Sequence, residues 1–136
     1  MASTTMHATG TYSFASWDEE PYAVLEGTPG LTHARVVNVY RGDLEGDGTV
    51  EFLMFYPTAS SATYLGFERV SGKLGGRSGS FVLQSAGTWG DGVARTSWTV
   101  VPGSGTGELE GLRGEGAIDA GHGQTEVPYR LDYDFG

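Results

Sequence analysis

Pro102-Gly-Ser-Gly-Thr-Gly-Glu-Leu-Glu-Gly-Leu-Arg-Gly-Glu-Gly116 sets six glycines between two strand-like segments, with Leu109 and Leu112 as its large apolar residues. A flexible linker has no use for the leucines. A helix loses about 1 kcal/mol at each interior glycine relative to alanine. What fits is a structured turn that bends sharply, re-enters a sheet and plugs one end of what the sheet encloses with its two leucines, glycine supplying positive φ and close backbone approach.

On either side of this stretch the apolar residues alternate with period two, the pattern of half-buried strands. Eight strands are predicted: His7–Ser16, Leu31–Arg41, Thr49–Tyr56, Ala62–Ser71, Gly79–Thr88, Val93–Val101, Gly114–Ala120 and Val127–Phe135. Gly90-Asp-Gly92 is a hairpin signal, and Gly42–Gly48, Pro57–Ser61 and Gly121–Gly123 are turn chemistry. Trp17 to Gly30, with Pro21, Pro29 and an acidic run, reads as a long connection with room for one helical turn, lying over one end. Eight antiparallel strands with short turns give an all-β, up-and-down eight-stranded barrel of one domain, with a sandwich as the alternative. The eighth strand fixes its own facing. Val127, Tyr129, Leu131, Tyr133 and Phe135 share one side, and a one-residue slip would bury Arg130, Asp132 and Asp134. The third strand and the middle of the fifth are apolar on both faces. A homo-oligomer, dimer or trimer, or else the long loop, is expected to cover the outer one.

The chain has 136 residues, 8 basic and 17 acidic, for a net charge of −9, and no cysteine. Binding to phosphate backbones or anionic membrane surfaces is disfavoured, so nucleic acid and membrane are not expected partners. Disulfides and thiolate metal sites are excluded. No segment at Met1–Thr11 reads as a signal peptide, and none is apolar enough to span a bilayer, so a cytoplasmic location is expected.

Ala8-Thr-Gly-Thr-Tyr-Ser-Phe14 with Ser16-Trp-Asp18, Arg41–Thr49, Gly66–Val70, Gly75–Gln84 and Val101–Gly116 together resemble a bacterial family of uncharacterised small proteins grouped with the allene oxide cyclase-like barrels. The resemblance covers nearly the whole chain. A more distant likeness to allene oxide cyclases and dirigent proteins rests on Tyr40-Arg-Gly-Asp-Leu44 and on the glycine-rich turn around Leu109. It implies an eight-stranded barrel, often trimeric, that holds an apolar molecule and steers it to one cyclised product. This chain departs from the cyclases where they carry a first-strand carboxylate, offering Ser13 and Ala15. Phe81 is the nearest counterpart of their barrel tyrosine. The plant reaction itself is therefore not expected.

Candidate chemistry follows from the residues. Glu51 and Glu68 interrupt apolar strands. Each either faces the interior, where burial raises its pKa and suits it to move a proton, or faces outward and pairs with Arg35, Arg41 or Arg69. Arg69, with Arg77 in the following turn, is a candidate to hold an anion, or a partner for the surplus acid. Tyr64, Phe67, Phe81, Trp98 and Tyr129 are candidate cavity linings or plain core; His33 is expected at the barrel mouth, and Arg35 is a further candidate ligand-binding residue. Gly66, Gly79, Ser85, Ala94 and Ala117 leave room inside. His7, His33 and His122 have no metal-ligand spacing, and Asp43–Gly48 begins a calcium-loop pattern whose twelfth position is Met54, so neither a metal nor a cofactor is expected. The leading expectation is a cofactor-free cyclase or isomerase acting on a small apolar or polyketide-like molecule confined in the barrel, with Glu51 or Glu68 moving a proton and an Arg or Tyr stabilising developing charge. The alternatives are a non-catalytic binding barrel and a structural oligomer.

Overall fold

The computed structural model describes residues 4–121 and 123–136. Eight strands run in order: β1 Met6–Leu25, β2 Thr28–Gly42, β3 Leu44–Thr58, β4 Ser61–Leu74, β5 Arg77–Gly90, β6 Val93–Val100, β7 Arg113–Gly121 and β8 Val127–Asp134. Each pairs antiparallel with the next. β1 pairs with β8, for example Ala8 with Leu131, and closes the barrel. No helix among the described residues is long and apolar enough to cross a membrane.

The expected connection at Trp17–Gly30 is instead sheet. β1 continues to Leu25, pairing Trp17 with Val36 and Glu19 with Ala34, and after a turn at Glu26-Gly27 β2 begins at Thr28. Two features keep it extended. Register shifts between Phe14 and Ser16 and on either side of Ala23 absorb an extra residue and the proline, as β-bulges do. The first bulge also puts Phe14 and Trp17 on one face, their rings 5.7 Å apart. The acidic run is not uniformly solvated: Asp18 and Glu20 are exposed, while Glu19 accepts hydrogen bonds from Thr32 and Tyr56.

The glycine-rich stretch behaves as a structured plug. β6 stops short of the full length of β5, and residues 101–112 run along the part of β5 left uncovered. Thr106 N donates to the Ser80 carbonyl at 2.8 Å, and Val82 N donates to Ser104 Oγ at 3.0 Å. Gly79 permits this approach, since a Cβ there would overlap the Thr106 carbonyl. A short 3-10 turn at Gly107–Leu109 then drives Leu109 and Leu112 into the barrel end, where both are fully buried.

The core has two parts. At the plugged end Leu44, Val70, Leu74, Phe81, Leu83, Val127 and Leu131 fill the interior. Toward the other end Ala34, Val36, Val50, Met54, Tyr56, Ala62 and Tyr64 line the wall. The facing expected for β8 holds: Val127, Tyr129, Leu131 and Tyr133 are buried and Arg130 is exposed. Outside, Leu53 on β3 pairs with Leu65 on β4. Together with Phe55 and Phe67 they form an apolar patch in which Leu65 is 57% and Phe67 55% exposed.

Candidate functional site

A cavity of about 290 Å³ occupies the half of the barrel away from the leucine plug. Strand alternation decides what lines it. On β4, Tyr64, Glu68 and Val70 point inward, so Phe67 and Arg69 point out. On β2 the inward set is Thr32, Ala34, Val36, Asn38 and Tyr40. Phe52, Met54 and Tyr56 of β3, Ser85 and Trp89 of β5, and Ala94, Thr96 and Trp98 of β6 complete most of the wall. Phe14 and Trp17, both more than 40% exposed, sit at the open end.

Below the cavity lies a layer of aromatic rings. Tyr12, Tyr40 and Trp98 are mutually within 6.3 Å centroid to centroid. Tyr129 packs edge-on to Tyr40 at 5.8 Å. The Tyr129 hydroxyl accepts from Leu44 N at 2.9 Å and lies 3.1 Å from the Arg41 carbonyl, tying the layer to the β2–β3 turn.

Glu68 stands on this floor. It is 2% exposed. Its Oε2 accepts from the Tyr40 hydroxyl at 2.5 Å and from Asn38 Nδ2 at 3.1 Å. Space for Oε2 comes from Gly48 on the neighbouring strand, where a Cβ would overlap it. Burial raises the Glu68 pKa because the charged form loses hydration, and the bonds from Tyr40 and Asn38 partly offset this. Tyr40 and Tyr12 shift up as well, from burial first and then from the neighbouring Glu68 carboxylate. Among the described residues, two buried polar atoms of lining residues have no hydrogen-bond partner: Asn38 Oδ1 and Ser85 Oγ. Buried polar groups are normally satisfied; these two atoms are packed within the wall rather than exposed to the cavity space.

A second carboxylate lies nearer the mouth. Glu19 Oε2 accepts from Tyr56 at 2.5 Å and from Thr32 at 2.6 Å, and Oε1 accepts from the Trp17 indole at 3.1 Å. Across the cavity the Tyr64 hydroxyl and Thr96 Oγ1 are 2.7 Å apart.

The structure sorts the residues singled out from sequence into three groups. Glu68, Tyr64 and Trp98 line the cavity, as do the small residues Ser85 and Ala94. Phe81 and Tyr129 are buried in the packed end. Glu51, His33, Arg35, Phe67 and Arg69 all face outward, and Ala117 is exposed on β7. Glu51 bonds His33 at 2.6 Å and Arg35 at 3.2 Å across the outer surface of β2 and β3. The outward placement follows from parity. Glu51, Leu53 and Phe55 share one face of β3, and the inner face already holds Val50, Phe52 and Met54. No arginine therefore joins Glu68. The described residues hold no cluster that would bind a metal ion, and His122 lies outside them.

The sequence pattern does not mark Asn38, Tyr40, Tyr12 or Glu19 as site residues. The available signal for Asn38 is a lone amide in a valine-rich strand, and Glu19 is hidden because its segment, with a proline and an acidic run, lacks the pattern of sheet.

Residues 8–133 match the family model described as protein of unknown function (DUF3224). A crystal structure of a DUF3224 protein of unknown function from Shewanella oneidensis MR-1 is 34% identical, with a TM-score of 0.76 over 98% of each chain. No curated protein matches. These findings make no link to allene oxide cyclases or dirigent proteins. With its barrel shared over full length by that relative and its sequence matched from the first strand to the last, the chain belongs to the DUF3224 family.

Proposed function

We propose that the barrel binds a small, largely apolar molecule and that Glu68 moves a proton on it, making the protein a cofactor-independent isomerase- or cyclase-type enzyme. The observation that carries this is one buried carboxyl at the floor of an apolar cavity, held on a single oxygen by Tyr40 and Asn38. The volume is near the lower end of ligand pockets, roughly 300–1,000 Å³. Burial gives Glu68 a pKa above the usual carboxylate range, so its ionised form is a stronger base than a solvated glutamate. A proton taken from one carbon by Glu68 and returned to another carbon of the same molecule rearranges its double bonds without oxidant or co-reactant. Confinement supplies the positioning. A likeness to allene oxide cyclases belongs to this proposal at the level of a barrel that encloses its substrate.

A generic carbon acid tests the base. With 5-nitrobenzisoxazole, abstraction of the C3 proton breaks the ring N–O bond and releases a coloured nitrophenolate. The wild type is expected to accelerate this reaction, more strongly as pH rises through the Glu68 pKa, and Glu68→Gln to lose about 100-fold or more. Equal rates for the two folded proteins would remove Glu68 from the chemistry and leave a binding barrel.

The patch of Leu53, Phe55, Leu65 and Phe67 supports self-association as part of the same reading. A closed barrel has no free strand edge, so copies must meet through faces. The rim of this face carries both signs, Arg35 and Arg69 against Glu51, which suits a surface that packs on its own copy.

A further inference from the structure

We infer that the cavity selects an organic cation, a small amine carried on an aromatic or alicyclic body, over neutral and anionic molecules of the same shape. This rests on the reading of the cavity as a ligand site and adds the charge of the ligand. Three observations carry it. First, the charged residues of the lining are Glu68 at the floor and Glu19 near the mouth, and no Arg, Lys or His lines the cavity among the described residues. An anion entering here would lose its hydration and gain no countercharge, the costly case for a buried ion. Second, eight lining residues are aromatic, among them Trp17, Trp89 and Trp98, whose faces attract cations. Third, Glu68 keeps an acceptor for an N–H donor: both of its hydrogen bonds fall on Oε2, and Oε1 has no donor among the described residues.

The amine would neutralise the charge whose desolvation raises the Glu68 pKa, so binding and Glu68 ionisation favour each other. The groups around Glu68 leave few other sources of pH dependence. Tyr12 of β1, Tyr40 of β2 and Tyr64 of β4 titrate above their ordinary range, Asn38 and Ser85 do not titrate, and Glu19 is the other carboxylate of the lining.

Three probes of one shape test the inference: 2-phenylethylamine, 2-phenylethanol and 3-phenylpropionate, titrated against the intact protein by the fluorescence of its cavity tryptophans and by calorimetry. The amine is expected to bind about tenfold more tightly than the alcohol, the equivalent of one desolvated cation contact, and the carboxylate not measurably. The amine preference should shrink as pH falls through the Glu68 pKa. In Glu68→Gln, with its fold confirmed by circular dichroism, the amine preference should fall well below tenfold, the aromatic wall and Glu19 retaining the remainder. Alcohol binding as tight as amine binding to the wild type would overturn the charge selectivity while leaving the ligand site intact. Preferred binding of the carboxylate would do the same. Absence of binding by all three would overturn the ligand-site reading along with the inference.

Discussion

Gly48 and Glu68 are complementary: the hydrogen atom that stands for a side chain at 48 leaves the space in which the Glu68 carboxylate lies, and any Cβ there would overlap Oε2. The two residues sit on adjacent strands, with Gly48 paired to Val70 and Glu68 to Val50. A carboxylate so confined is set in position by backbone, before any ligand arrives.

Gly48→Ala is therefore expected to cost about 1–3 kcal/mol of stability, the usual range for overfilling a packed interior. The cost should fall when the carboxylate is already gone, as in a Glu68→Ala background. Denaturant unfolding of the two single variants and the double variant would reveal the coupling. Strict additivity would show that the alanine clashes with something other than Glu68.

Glu68 also predicts a pH dependence of stability. Its folded-state pKa is raised above the unfolded value, so its favourable contribution is complete below the unfolded pKa and is lost as pH rises through the folded pKa. Above the unfolded value, wild-type stability should decline by up to about 1.4 kcal/mol per pH unit relative to Glu68→Gln, until the folded carboxyl has ionised. Unfolding curves for both proteins from about pH 4 to about pH 9 would show it. Parallel profiles would mean that the carboxyl is better solvated than its burial indicates.

Leu109 should behave as core despite its place in a glycine-rich segment. Leu109→Ala is expected to cost about 2–5 kcal/mol, as for a buried leucine elsewhere. Thermal unfolding is the check. A loss below about 0.5 kcal/mol, typical of surface sites, would mean that the plug is not structural.

Leu65 tests self-association. Replacing it by lysine puts a charge at the centre of the outer patch and should shift sedimentation toward the monomer, while the barrel's circular dichroism stays unchanged. A wild-type protein that sediments as a monomer at the highest attainable concentration would end the proposal.

Period-two alternation gave the sheet, its eight segments and the facing of β8, because a strand with one buried face cannot slip without burying charge. The leucines within Pro102–Gly116 identified the plug, since apolar residues in a glycine-rich segment need something to cover them. Alternation also limited the site: consecutive residues such as Phe67, Glu68 and Arg69 cannot all point inward. Which parity was interior on the middle strands was decided only by closure. Ring formation turned Glu68 inward and set Glu51 beside His33 and Arg35 outside. It also brought together Tyr12, Asn38, Tyr40 and Glu68 from three strands. The β1 bulge, which returned Trp17 and Glu19 to the inner wall, shifts the period by one residue where proline and acidic residues already obscure it. Local pattern fixes which residues share a face of a strand, and long-range pairing chooses the face and sets how deeply a carboxyl is removed from water.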